Sequence, residues 1–349
     1  MSGMRRSRFV TAFLAAGLLL TPLRTADAFG PPVSTIQETA RARLIDQFTR
    51  FATLSDGTVG ISVRDLRTGE SIELNGETMF PMASAYKVAV AGKILSMVDA
   101  GQLSLDKKVD ADPAIMSEGG IADMFPRGGV SFTIYNLLDL MLTRSDNNAT
   151  DMLVAQAGGP AAVDAWLRRI GIHGLRVDSN TAQLLYRAMG LDPHLPGSFR
   201  ANKEAAHAAN RALIERDLRD LPNIPFAADP RDTSTPHAMA DLLVALRDGK
   251  ALSPASSGLL SGIMARCRTG QMRIKGMLPA GTPVAHKTGS LNGTGNDVGV
   301  VMLPDGRSFA IAVFVMKDTN GHEARDRIAA EAARAAYDYF LFAPDRASL

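Results

Sequence analysis

The chain has 349 residues, 46% of them hydrophobic, 21% charged and 6% aromatic, a globular composition that argues against a disordered, collagenous or multispan membrane protein. Its 38 Lys and Arg face 36 Asp and Glu; four of those positives (Arg5, Arg6, Arg8, Arg24) and one negative (Asp27) fall in the first 28 residues, leaving 34 against 35. No broad basic field remains for nucleic acid or an anionic membrane, and the single cysteine, Cys267, excludes an intrachain disulfide and a Cys-rich metal site.

Arg5, Arg6 and Arg8 precede the apolar run Phe9 to Leu20, and Ala26-Asp27-Ala28 follows it. These are the three parts of a secretory signal peptide, so residues 1–28 are read as a leader cleaved after Ala28. The apolar run is too short to span a bilayer comfortably, and no cysteine stands near for a lipid anchor. Arg5-Arg6 fits a twin-arginine signal poorly. The mature protein is expected to be periplasmic or secreted, free of the membrane, and monomeric.

An amphipathic stretch from about 35 to 51 predicts an opening helix. Val59, Ile61 and Val63 alternate with small or polar residues, and Arg67-Thr68-Gly69 turns the chain into Ser71-Ile72-Glu73-Leu74, which predicts a hairpin. The middle of the chain reads as helical, over 84–100, 131–142, 146–157, 160–170, 201–219, 236–247 and 254–265. A second hairpin, 297–303 and 308–316, turns at Pro304-Asp305-Gly306, and an Ala-rich helix runs from about 322 to 340. Sheet at both ends and helices between them predict an α/β (α+β) protein. Its sheet domain comes from 31–82 and 267–349, its all-α domain from 83–266, with a cleft at the seam as the default place for chemistry.

Three short motifs stand out along the chain. Ser84-Ala85-Tyr86-Lys87 opens a helical run, and on a helix the Lys87 amine can reach a hydroxyl three residues back. A lysine so placed can activate a serine nucleophile, and a helix N-terminus favours developing negative charge. Ser104-Leu105-Asp106-Lys107 has the same spacing but starts no apolar helix. Ser145-Asp146-Asn147, taken alone, reads as a helix cap, and Lys287-Thr288-Gly289 as a turn after an edge strand. The weight lies in the set and its order, which is that of class A β-lactamases and penicillin-binding proteins.

With Phe80-Pro81-Met82-Ala83-Ser84, Gly158-Gly159-Pro160, Arg231-Asp232-Thr233-Ser234-Thr235-Pro236 and Asn296-Asp297-Val298-Gly299 added, the mature chain resembles class A serine β-lactamases over nearly its whole length. The resemblance implies a five-stranded antiparallel sheet flanked by helices, an inserted all-α domain, and hydrolysis of the β-lactam amide through an acyl-serine. It implies Ser84 as nucleophile, Lys87 as its proton relay, Ser145 as donor to the departing nitrogen and Lys287 beside it. Asn147 would bind the side-chain amide, with Thr288, Gly289 and Ser290 along the substrate and the Ser84 and Ser290 N–H groups as oxyanion hole. Arg273 matches a carboxylate-binding position in some members and reads equally as a surface charge. Tyr86 is expected to pack beneath the nucleophile.

The family releases its acyl-serine with a glutamate on the Ω loop, partnered by an asparagine four residues later. An ungapped count from Ser145 puts these at Thr181 and Leu185, neither of which is a carboxylate base. The loop region, 176–232, is also enlarged, with 50 positions from Thr181 to Arg231, a length usually reserved for lids or disorder. Three outcomes follow: a relocated base, Asp178 or Glu204, either of which also reads as a solvated charge; release by Lys87 or Ser145, or a different ester or amide as substrate; or a persistent adduct, as in a β-lactam-binding sensor or transpeptidase-like enzyme acting on peptidoglycan-like peptides. His286 and His173 lack ligand-spaced partners, so no metal or other cofactor is expected. Cys267 reads as a structural thiol.

Overall fold

The structure, a computed structural model, describes residues 33–112, Ser117 and 119–342, besides Met1. The expected cleavage site and the rest of the leader lie outside the described residues. Helix α1 (Val33–Ala52) leads to the foreseen hairpin of β1 (Thr58–Asp65) and β2 (Ser71–Leu74), in which Ile61 faces Leu74 and Val63 faces Ile72. Asp65 fastens the turn by accepting from the Arg67 and Thr68 amides at 2.7 and 2.8 Å. Then come the short β3 (Phe80–Pro81), a 3-10 turn at Ala83–Tyr86, and α2 (Lys87–Asp99).

The helical middle contains β4 (Lys108–Asp110), α3 (Ile121–Met124), β5 (Ser131–Thr133), α4 (Ile134–Thr143), α5 (Asn147–Gln156) and α6 (Pro160–Arg169). The region predicted as one helix over 131–142 begins as a strand, because Ser131 to Thr133 pair with β4 and the Thr133 hydroxyl then caps α4. Helix α7 (Thr181–Met189) was not foreseen, although Asn180 and Gln183 form a capping box and Gly190 closes it in the left-handed region. The expected helix over 201–219 is broken into α8 (Phe199–Ala209) and α9 (Arg211–Leu218). Asn210 breaks it: its backbone is extended and its side chain accepts from the Ala212 amide at 3.1 Å, replacing the helical ladder.

After α10 (Ile224–Ala227) and β6 (Thr233–Ser234), α11 (Pro236–Arg247) and α12 (Pro254–Ala265) start with proline at the first turn, where no N–H is missed. The chain closes with β7 (Val284–Leu291), β8 (Thr294–Met302), β9 (Ser308–Met316) and α13 (His322–Phe342). The main sheet runs β2-β1-β9-β8-β7, antiparallel throughout. Leu44 and Phe48 of α1 and Ile328 and Phe340 of α13 bury one face against Ile61, Ile311 and Val313. The other face joins a larger core through Phe314 and Val298, which contains Val88, Leu138, Trp166 and Leu242 from the helices. Both faces of β8 and β9 are covered, so their sequences are nearly unbroken apolar runs. Among the described residues no helix is long and apolar enough to cross a membrane.

Candidate active site

Ser84 is half-buried in the 3-10 turn between β3 and α2. Side chains three apart in such a turn lie over one another, which puts Lys87 on the side of Ser84. The turn is entered through Ala83 at φ 46°, a left-handed conformation that costs a residue with a Cβ about 1–3 kcal/mol. The surroundings hold it there. The buried Asn296 amide donates to Pro81 O at 2.9 Å and Met82 O at 3.0 Å. On the other flank Gly289 of β7 lies so close that a Cβ would stand 2.3 Å from Met82 O. This approach sets the Ser84 and Ser290 backbones on adjoining segments.

Two lysines converge on one hydroxyl. Lys87 Nζ donates to Ser145 O at 2.8 Å, Ser145 Oγ at 3.2 Å and Asn147 Oδ1 at 2.8 Å. Lys287 Nζ donates to the same Ser145 Oγ at 3.0 Å and to Thr288 O at 2.6 Å. Both side chains are fully buried. Burial, and then the Lys287 charge, hold the Lys87 amine well below its ordinary value, while burial pushes Lys287 down to about 8. With both lone pairs of Ser145 Oγ occupied by N–H donors, its own proton is the one left to give away.

Asp146 explains why this motif also reads as a cap. Its carboxylate accepts from Ala149 N at 2.8 Å to start α5, and from Ile121 N at 2.9 Å. Its neighbours Ser145 and Asn147 meet Lys87. On β7, the Thr288 hydroxyl lies 2.6 Å from that of Thr269. Arg273 is no surface charge: at 6% exposure it donates to Ser290 Oγ at 2.9 Å, Asn296 O at 2.9 Å and Gly289 O at 3.3 Å, and pairs with Asp326 at 2.6 Å. A cation therefore backs the row of Thr288 and Ser290 hydroxyls, an arrangement suited to an anionic group.

A sequence model of the β-lactamase enzyme family matches residues 43–340. The chain belongs to the β-lactamase enzyme family. It is 28% identical over 318 residues to the extended-spectrum β-lactamase PER-1 of Pseudomonas aeruginosa, covering 88% of this chain and 91% of that one. A β-lactamase of Bacteroides uniformis is 29% identical, with 80% and 86% covered. Among solved structures, an ancestral class A β-lactamase superposes with a TM-score of 0.69 at 29% identity, over 84% of this chain and 99% of its own. The crystal structure of the TLA-1 extended-spectrum β-lactamase does so with 0.69 at 26%, over 86% and 99%.

In this class A β-lactamase the position of the Ω-loop glutamate is built differently. Thr181, the first residue of α7, is buried, with Oγ1 2.8 Å from the Tyr86 hydroxyl. Its N–H donates to Asp151 Oδ1 at 2.6 Å, and the Ala182 N–H donates to Oδ2 at 3.3 Å. Burial pushes the Asp151 carboxyl up, against the pull of the Thr181 and Ala182 donors and of the Lys87 charge. Sequence reasoning missed Asp151, yet it stands four residues after Asn147 and so shares its face of α5.

Asp178 is engaged elsewhere. Its carboxylate accepts from Arg176 Nε and from Asp232 N, each at 3.0 Å, which outweighs burial and holds it below the usual carboxylate range. Glu204 is exposed on α8, and Leu185 lies on α7. Among the described residues neither Asp178 nor Glu204 hydrogen-bonds to Ser84, Lys87 or Ser145. The two ends of the enlarged loop are joined by a buried ion pair, Arg187 with Asp232, and Asp232 Oδ1 accepts from the Asp178 and Ser179 amides at 2.8 and 3.0 Å. His286 spends Nδ1 on the Asp297 carboxylate at 2.9 Å, and that charge overcomes burial to push it up to about 9.

Proposed function

We propose that this β-lactamase opens the lactam ring with Ser84 and serves both halves of the reaction with Lys87. Lys87 acts once it has given up the N–H that it directs at Ser145 Oγ at 3.2 Å; as the neutral amine it takes the Ser84 proton while Oγ attacks the carbonyl carbon. The oxyanion faces the Ser84 and Ser290 N–H groups, a donor pair of which each member is worth about 10²–10³ in rate. As the C–N bond breaks, the Ser145 hydroxyl protonates the departing nitrogen and is resupplied by the lysine N–H groups it accepts from. Asn147 takes the side-chain amide; Lys287, Thr288 and Ser290, backed by Arg273, take the ring carboxylate. Gly289 keeps the strand close enough for this.

Release requires a water proton to go to a base while the water oxygen attacks the ester and Ser84 Oγ leaves with a proton returned to it. Lys87 is that base in our reading. Asp151 is occupied at the start of α7, and Asp178 by Arg176. The observation that carries the whole reading is the convergence of Lys87 and Lys287 on Ser145 Oγ. We also read the protein as exported, with residues 1–28 removed, and as acting alone.

The test is an intact-mass time course with a slight excess of benzylpenicillin. A penicilloyl adduct that forms and decays as hydrolysed drug accumulates is expected, together with no adduct on Ser84→Ala. An adduct on Ser84→Ala overturns the nucleophile, and a permanent adduct on the wild type overturns release by Lys87.

A further inference from the structure

We infer that the insertion after α7 builds a substrate subsite of its own: a roofed chamber that takes a bulky, uncharged, aryl-bearing acyl side chain of the β-lactam. The inference rests on the β-lactam reading of the site next to it. A cavity of about 780 Å³ lies between α7, α8, α9, α10 and the β7–β8 turn, within the range of sites that bury a drug-sized ligand. Asn147, the residue assigned to the side-chain amide, lies on its wall and hydrogen-bonds Lys87, so the chamber adjoins the Ser84 site on the side where the acyl group leaves that amide.

The lining sets the chemistry. Leu185, Met189, Phe199, Phe226 and Leu291 give an apolar surface with two aromatic rings. Three basic side chains, Arg200, Lys203 and Arg216, are matched by three acidic ones, Asp123, Glu204 and Asp217. Arg200 pairs with Asp123, and Arg216 lies 3.7 Å from Asp217, which also accepts from Asn292 at 2.6 Å. A wall with no net charge gives an ionised side chain no advantage over a neutral one.

The roof is held on both sides. Toward α3, Arg200 of α8 reaches Asp123 across the mouth of the cleft. Toward the sheet, Asp220 accepts from Gly293 N at 3.3 Å and pairs with Arg325 of α13. Gly293 sits at φ 63° against Pro222, where a Cβ would stand 2.6 Å from that ring. The insertion is thus folded over the cleft and fastened to both of its banks.

The experiment compares three penicillins on the mature enzyme: piperacillin, with a large neutral side chain carrying carbonyls and a phenyl ring; carbenicillin, with a carboxylate in that place; and 6-aminopenicillanic acid, which lacks the acyl group. The wild type should show a KM for piperacillin at least about tenfold below the other two. Ala188→Trp, which fills the chamber from α7, should raise the piperacillin KM by about tenfold or more and leave kcat/KM for 6-aminopenicillanic acid within about twofold. Leu291→Trp, from the opposite wall, should do the same and replaces Ala188→Trp if circular dichroism shows that variant unfolded. Equal losses on all three substrates, no loss on any, or a preference for carbenicillin overturns the chamber. Absence of any penicilloyl adduct on the wild type would instead overturn the β-lactam reading itself.

Discussion

The hydroxyl of Thr181 lies 2.8 Å from that of Tyr86, two residues after the nucleophile. Both groups are buried, so the side chain at the glutamate position is consumed in a contact beneath Ser84 instead of being offered to water. A glutamate placed there meets Asp151 on one side and the Tyr86 ring on the other. Thr181→Glu should lower stability by about 1–3 kcal/mol, the cost of an unsatisfied buried polar group. Thr181→Glu with Asp151→Asn should recover most of it and shorten the life of the penicilloyl-enzyme. Urea unfolding and the intact-mass decay rate test this; a single variant as stable as the wild type would show that the loop has moved aside.

Removing the amine of Lys87 should be felt in both chemical steps. Lys87→Ala is expected to slow acylation by about 10²–10⁴, the usual contribution of a positioned base. Stopped-flow mixing with a chromogenic cephalosporin measures it, and a rate within a few fold of wild type would move the base elsewhere.

The two lysines give the pH profile opposite limbs. Lys87 acts as the free amine, so kcat/KM should rise on the acid side as it loses its proton, at a pH well below the ordinary lysine range. Lys287 acts as the cation, and its value of about 8 places the fall on the alkaline side near there. Lys287→Arg keeps its charge at every accessible pH and should abolish the alkaline limb, whatever it does to the maximum rate.

Arg187 is 5% exposed and Asp232 1% exposed at the side chain. Truncating one partner leaves a charge in the interior, so Arg187→Ala should lose about 3–5 kcal/mol. A urea midpoint unchanged from wild type would mean the loop is secured by other contacts.

His286 carries a pH signature. Its folded value of about 9 lies above the ordinary 6.5, so its pairing with Asp297 stabilises fully below 6.5 and fades as pH rises through 9. The Tm difference between wild type and His286→Gln should therefore shrink across that interval. A constant gap would assign the effect to packing alone.

Much of this was legible in the residues. Alternating Val59, Ile61 and Val63, and the runs that became β8 and β9, announced the sheet because strand periodicity survives in a single sequence. Ser145 and Asn147 could be paired with Lys87 and Lys287 only through the order of the motifs, since no local pattern says that residues so far apart meet. Asp151 escaped because a carboxylate inside a helix looks like any solvated charge until a second helix starts on top of it. Asn210 escaped for a related reason: its neighbours favour helix, and only the choice of its amide to cap α9 divides the run. Asp178 and Glu204 were proposed for their charge, whereas Arg176 and the reach of α8 decide where those charges go.

Asp151 grips α7 through the Thr181 and Ala182 N–H groups, and Arg187 with Asp232 ties the loop ends together; neither restraint requires a carboxylate at 181. Holding the loop in place and activating water have thus become separable traits. A lineage could discard the glutamate without losing the loop, and could afterwards lengthen that loop into a new wall for the substrate. The side chain at 181 now belongs to the packing beneath the nucleophile, so a change made there alters stability together with turnover.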